Sequence, residues 1–301
     1  MSTHRFHGIY TIPATPFGDD LTIDWDSLRR EVEFCCRCGA QGIVWPVGVS
    51  EMMTLSDDER RAGFRAIAAE NRGRATFVAG VSGTSIPHAV ELTRAAADAG
   101  ADAVIAVPPY TFRLDNDGIV AYFRAIAKAT SLPICVQNQN PPMGTPMPIS
   151  FVAKLAQDIP SVCFLKEEVP PALQRIRQAA ALNDPPLDGV FGGGGGIDLI
   201  QEIRRGGSGN MPACQWTDIL VEIYRLARED VEAGRRLHRR FLPAVLLERL
   251  YGVRVVKEVL RRRNVIQTTA MRQPAPELDD HDRGELDRIE EEIGDLLRIA
   301  M

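Results

Sequence analysis

VCFLKEEV, residues Val162 to Val169, opens with four apolar residues and then turns charged at Lys166, Glu167 and Glu168. A short apolar run of this length reads as a strand buried on both faces. Helical periodicity over Ala172–Leu182 follows, so the two make one strand-then-helix unit. The unit recurs along the whole chain. Predicted strands at Gly8–Ile12, Gly42–Pro46, Ala75–Val81 and Ala103–Val107 precede helices over Asp26–Cys38, the segment opened by the capping box Ser56-Asp57-Asp58-Glu59, Ile86–Ala99 and Gly118–Thr130. Strands at Pro133–Gln137, Ser161–Lys166, Asp188–Phe191 and Ser208–Pro212 precede helices over Ile149–Gln157, Ala172–Leu182, Ile197–Arg204 and Asp218–Ala233. Eight such units in about 230 residues, strictly alternating and closely connected, imply a parallel sheet closed into a (β/α)8 TIM barrel. Three more helices are predicted at 235–250, 252–263 and 279–299, giving a C-terminal three-helix bundle. The expected division is a barrel over 1–233 that carries the active site and a helical region over 234–301 packed on it.

Composition narrows the function. Apolar residues make up 45% of the chain, enough for a large core, while a net charge of -5 argues against a nucleic-acid-binding surface. Arg261, Arg262 and Arg263 stand together on a helical pattern and read as a solvated face. The opening stretch MSTHRFHGIYTIPATPF lacks the apolar core of a signal peptide, and no stretch approaches a membrane span, so a soluble cytoplasmic protein is expected. Cys35, Cys36 and Cys38 crowd one helix as small core fillers, and the histidines at 4, 7, 88, 238 and 281 form no cluster. Neither a metal nor a diffusible cofactor is expected.

In such barrels the chemistry sits at the C-terminal ends of the strands. Lysine occurs only four times against 31 arginines, and Lys166 ends the sixth strand. Desolvation lowers a lysine's pKa, and a neutral amine can form a Schiff base with a carbonyl; the competing reading is a strand-end lysine paired with Glu167 or Glu168. Strand alternation turns Glu167 to the opposite face and keeps Glu168 on the side of Lys166, as an acid/base or a salt-bridge partner. After the second strand, Gly48, Val49 and Ser50 could bring backbone N–H groups and a hydroxyl to a carboxylate, or simply make a tight turn. Tyr110 and Thr111 follow the fourth strand. The fifth ends in the amide cluster Gln137, Asn138, Gln139 and Asn140, suited to a hydroxylated or carboxylated ligand or to an ordered polar loop. The seventh runs into Gly192, Gly193, Gly194, Gly195 and Gly196, which could cradle an anion or leave room for a bulky substrate.

With these pieces in order, the chain resembles the dihydrodipicolinate synthase/N-acetylneuraminate lyase family over nearly its whole length. The likeness is carried by Ile9–Phe17 (IYTIPATPF), Gly48–Arg60 (GVSEMMTLSDDER), Val107–Tyr110 (VPPY), Pro133–Asn138 (PICVQN) with Gly144, and Phe164–Glu167 (FLKE). It implies a barrel with a C-terminal helical bundle, a homo-oligomer (dimer or, as is usual, tetramer), and Lys166 as the Schiff-base lysine acting on a small 2-oxo acid. The departures point to a branch. The family's G-T-T-G-E reads Val47, Gly48, Val49, Ser50, Glu51 in this chain; a synthase tyrosine that reaches the neighbouring subunit is Thr111; the proton-transfer tyrosine is Gln137; the substrate-binding arginine is Pro142. An amide has no usable pKa for proton transfer. The Val136-Gln137 strand end with Glu168 is similar to 2-keto-3-deoxyarabonate dehydratases, although the glycine run replaces a charged segment there. The expectation is a 2-keto-3-deoxy sugar-acid dehydratase, with Lys166 and Glu168 catalytic and with Gly48, Val49, Ser50, Tyr110, Thr111, Gln137, Asn138, Gly192, Gly193 and Gly194 binding substrate. A pyruvate-dependent aldolase or hydratase-aldolase and a catalytically silent 2-oxo acid-binding homologue are the alternatives.

Overall fold

The structure, a computed structural model, describes residues 5–297. Eight strands form one closed parallel barrel: β1 (Gly8–Thr11), β2 (Gly42–Trp45), β3 (Thr76–Gly80), β4 (Ala103–Ala106), β5 (Ile134–Asn138), β6 (Val162–Glu167), β7 (Gly189–Gly192) and β8 (Gly209–Asn210). Closure runs through Gly8 opposite Gly209 and Ile9 opposite Asn210. Helices α1 (Trp25–Arg37), α2 (Asp57–Asn71), α3 (Ile86–Asp98), α4 (Asn116–Ala129), α5 (Ile149–Asp158), α6 (Ala172–Ala180), α7 (Leu199–Arg204) and α8 (Thr217–Glu229) follow the strands in turn. This is the (β/α)8 barrel that the alternation of units implies.

Strand alternation divides the core into two shells. Tyr10, Val44, Val78, Ile105, Phe164 and Phe191 point inward and fill the lumen. Phe6 stacks on Phe164 at 4.4 Å and Tyr10 packs against Phe191 at 4.7 Å, so the lower barrel is plugged by aromatic rings. Outward residues such as Ile43, Leu165 and Val190 meet the helices.

Three further helices close the chain: α9 (Val231–Tyr251), α10 (Val253–Arg262) and α11 (Asp280–Ile293). A second core of Leu199, Trp216, Ile223, Phe241, Val245 and Leu286 joins them to α7 and α8. Asp230 alone separates α8 from α9, its side chain accepting the Ala233 N–H at 3.0 Å, so α9 starts earlier than its periodicity predicts. Helix α11 opens on an Asp279/Asp282 capping box; positions 298 and 299 of the predicted helix lie outside the described residues. No helix among the described residues is long and apolar enough to cross a membrane.

Some local expectations need correction. β8 has two residues rather than five; Ser208 and Met211 beside it still donate to Val190 O and Gly192 O, and Pro212 has no N–H to extend the ladder. α7 starts at Leu199 rather than Ile197, because Gly194, Gly195 and Gly196 all take positive φ (63°, 69° and 81°), a path open to glycine and closed to a helix. The arginine triplet is not uniformly solvated. Arg262 bridges Glu258, Asp287 and Glu290, and Arg263 is buried against Asp218 with Nη2–Oδ2 at 2.6 Å. The turn after α10 aims position 263 at α8.

Candidate active site

Within β6 the alternation decides every side chain. Phe164 lies in the lumen, Leu165 in the outer shell, Lys166 again in the lumen and Glu167 outside. Lys166 is 5% exposed at the upper end of the barrel, directly above the aromatic plug. Its Nζ lies 3.3 Å from Oε2 of Glu168, whose side chain is 23% exposed and so open to the mouth. Register places Gln137 of β5 beside Lys166, and the Gln137 amide donates to the same Glu168 oxygen at 2.9 Å and to Gln139 Oε1 at 2.8 Å. A buried amine, a carboxylate and a carboxamide thus converge at one point.

Outside the barrel wall, Glu167 makes a separate structural knot. Its carboxylate accepts bonds from Val169 N (2.8 Å), Arg175 Nε (3.1 Å) and Asn138 Nδ2 (2.8 Å). Asn138 also exchanges bonds with the Met147 backbone at 2.9 Å in both directions. The side chain of Asn138 therefore faces away from the lumen, contrary to its expected place in the pocket: it is one residue past Gln137, and one residue inverts the face.

A match to the dihydrodipicolinate synthetase family spans residues 5–293. The chain belongs to this family. It is, with it, a lyase. It is 30% identical over 292 residues to the L-2-keto-3-deoxyarabonate dehydratase of Azospirillum brasilense, covering 95% of this chain and 94% of the relative. It is 32% identical over 274 residues to the 4-hydroxy-tetrahydrodipicolinate synthase of Pelodictyon phaeoclathratiforme, covering 89% and 90%. Among solved structures, dihydrodipicolinate synthase from Rhodopseudomonas palustris superposes with a TM-score of 0.88 at 27% identity, over 95% of this chain and 97% of that one.

At the position of the family's second-strand motif, Gly48–Ser50 forms a single 3-10 turn. The amides of Gly48 and Val49 have no hydrogen-bond partner among the described residues, and a Cβ on Gly48 would meet nothing within 4 Å. Ser50 differs from its expectation: its N–H donates to Val47 O at 2.9 Å and its hydroxyl to Pro13 O at 2.8 Å. Both Ser50 protons are therefore engaged, which leaves Gly48 and Val49 as the free donors of this family turn. Tyr110 is half-buried, and Thr111 is exposed on the rim.

The glycine run is bordered mainly by carboxyl groups. Its missing side chains make room for carboxyl groups. A Cβ on Gly193 would sit 2.1 Å from Glu168 Oε1, one on Gly192 1.8 Å from Glu202 Oε1, and one on Gly195 3.2 Å from Glu248 Oε1. On the Gly194 side the nearest group is Arg249, with Nη1 3.4 Å from the Cβ position. Burial raises the Glu202 carboxyl to about 8, with Asp198 and Glu168 adding to the rise against the pull of its bond from Asn210. The Asn210 amide donates to Glu202 Oε2 at 2.8 Å and to Gly193 O at 3.0 Å, so it ties the carboxyl to the wall behind Glu168. Burial likewise lifts Glu248 to about 7, opposed by its bond from Gln215. Sequence reading overlooks Glu202 and Glu248. For Glu202 a signal existed: it stands three residues after Leu199, on the buried face of α7. Among the described residues no group of three or more His, Cys, Asp or Glu could hold a metal ion.

Proposed function

We propose that this chain forms an imine between Lys166 and a 2-oxo acid and dehydrates a 2-keto-3-deoxy sugar acid. The observation that carries this reading is the lone buried lysine of the lumen with Glu168 at 3.3 Å, the Glu168 carboxylate being oriented by Gln137. The overall likeness to the L-2-keto-3-deoxyarabonate dehydratase supports it.

In this reading the Lys166 amine attacks the C2 ketone, and loss of water with uptake of one proton from solvent gives the protonated imine. The imine acidifies C3, and Glu168 takes one C3 proton as the electron pair moves into an enamine. That pair returns to expel the C4 hydroxyl, and Glu168 hands the same proton to the departing oxygen as water. Hydrolysis of the remaining imine frees the product and restores Lys166. The substrate carboxylate is held by the Gly48 and Val49 amides, while Tyr110, Thr111 and Gly193 border the sugar chain. A rival C–C bond-forming reaction of the aldolase type needs a proton relay. The Gln137 carboxamide beside Lys166 has no usable pKa for one.

Sodium borohydride added with pyruvate or a 2-keto-3-deoxy sugar acid is expected to leave a reduced adduct on Lys166, mapped by peptide mass. No adduct with any 2-oxo acid sinks the reading. Glu168→Gln is expected to stop turnover while still allowing trapping. Pyruvate released from a sugar acid would indicate C–C cleavage instead.

A further inference from the structure

The turn that presents the Gly48 and Val49 amides is followed at once by Glu51, whose carboxyl points away from the lumen into the C-terminal region. Glu51 is 1% exposed and is one of the few non-glycine residues with positive φ (53°). Its backbone N–H closes the turn on Gly48 O at 3.0 Å. Lys257 of α10 donates to its Oε1 at 2.6 Å, and both side chains of that ion pair are fully buried. The backbone amides of Arg272 and Gln273 donate to its Oε2 at 3.0 and 2.7 Å. Lys257 also donates to Ala270 O at 2.7 Å and lies 4.4 Å over the Phe17 ring. Arg272 covers the other side, pairing with Glu59 at 2.6 Å and donating to Thr54 O at 3.0 Å. One carboxylate thus gathers donors from α10 and from the segment behind it, and all converge on the residue that ends the turn.

We infer that Glu51 is a positioning residue for the proposed reaction: clamped by Lys257 and by the Arg272 and Gln273 amides, it fixes the Gly48 and Val49 N–H groups for the carboxylate of the 2-oxo acid. The inference rests on the Schiff-base reading above. Packing alone does not explain the arrangement. An uncompensated buried charge is costly, and a well-packed apolar pair would serve packing as well. The left-handed backbone at a glutamate is sparsely populated and persists where its surroundings hold it. In this site the holding groups come from outside the barrel. The C-terminal helices then belong to the substrate-binding apparatus, and their contribution is to the carboxylate end of the ligand.

The test is a titration of adduct formation in the full chain with sodium cyanoborohydride, using pyruvate and, in parallel, hydroxyacetone, a ketone without a carboxylate. Lys257→Met and, as the milder variant, Glu51→Gln are expected to raise the pyruvate concentration for half-maximal trapping about tenfold, the loss of roughly one charge-assisted hydrogen bond. Trapping at saturating pyruvate should still reach completion, and half-saturation with hydroxyacetone should not move. Unchanged pyruvate half-saturation in a folded variant overturns the inference. So does an equal shift with both ketones, which marks a general structural role. If Lys257→Met does not fold, Glu51→Gln decides alone, since it keeps an acceptor for the amides and removes only the charge. Wild-type protein that traps neither ketone overturns the Schiff-base reading itself and this inference with it.

Discussion

Two of the four lysines, Lys128 and Lys154, are exposed, and the two buried ones have opposite settings. Lys257 is saturated by Glu51, Ala270 O and the Phe17 ring, and although burial lowers its pKa, its nitrogen is not free to attack. Lys166 has one carboxylate, shared with an amide, and faces the open mouth. Reductive trapping should therefore label Lys166 and never Lys257, and Lys166→Arg should remove the adduct, because a guanidinium stays charged. The glycines divide in the same way. Gly193→Ala places a methyl 2.1 Å from Glu168 Oε1 and drives that carboxyl off Lys166. We expect turnover to fall about 100-fold with the fold intact, a loss typical of displacing a reacting group by about an ångström. Gly48→Thr, by contrast, meets open space, and its Tm should stay within about 2 °C of wild type in a thermal melt. Lys166 and Glu168 were legible as candidates because strand parity needs only the sequence. The direction of Glu51 was not, because its partners lie 206 residues or more away along the chain.

At the scale of elements, periodicity locates the helices but leaves open which neighbour each one meets. Arg263 illustrates the gap. Read as part of a charged helix face, it instead ties the end of α10 to α8 through two bonds to Asp218, at 3.0 and 2.6 Å, and one to Gln215 O at 2.7 Å. It also covers the Phe34 ring at 4.6 Å. Arg263→Ala leaves Asp218 as a buried charge without its main partner. The expected cost is about 3 kcal/mol, read as a lower denaturant midpoint with unchanged slope. Arg261→Ala, on the exposed side and paired with Glu258, should change the midpoint little. The glycine run was misread for a related reason: five missing side chains announce space, and only the neighbours in the fold determine what fills it.

Across the whole molecule the buried carboxyls set the response to pH. Glu202 rises from an ordinary 4.5 to about 8 on folding and Glu248 to about 7, so the folded chain holds protons that the unfolded chain has released. Their stabilisation is complete below about pH 4.5 and is lost as pH rises through the folded values. Glu59, lowered to about 2 mainly by its bond from Arg272, acts oppositely and loses its contribution as pH falls below 4.5. Stability should therefore decline from about pH 5 to about pH 8, by up to about 1.4 kcal/mol per pH unit for each proton released. Glu202→Gln should reduce that decline, and Glu248 together with the buried Glu31, also raised by desolvation, should leave a residual slope. Denaturation midpoints measured from pH 5 to 9 check this; parallel curves for the variant and wild type would exclude Glu202 as the source.

The chain specifies the barrel locally, because a two-residue period, a helical period and eight repeats are patterns that need no partner to be read. It also determined that Lys166 and Glu168 share a face and that Glu167 does not, since the pleat of a strand allows nothing else. What stands around them came from the folded arrangement. It turned Asn138 onto Glu167, drew the Ser50 protons to Val47 and Pro13, filled the glycine run with carboxyl groups and clamped the carboxylate turn from α10. Except for the Ser50–Val47 bond, those contacts bridge separate parts of the chain, and their energies depend on burial and distance, which exist only once the barrel has closed.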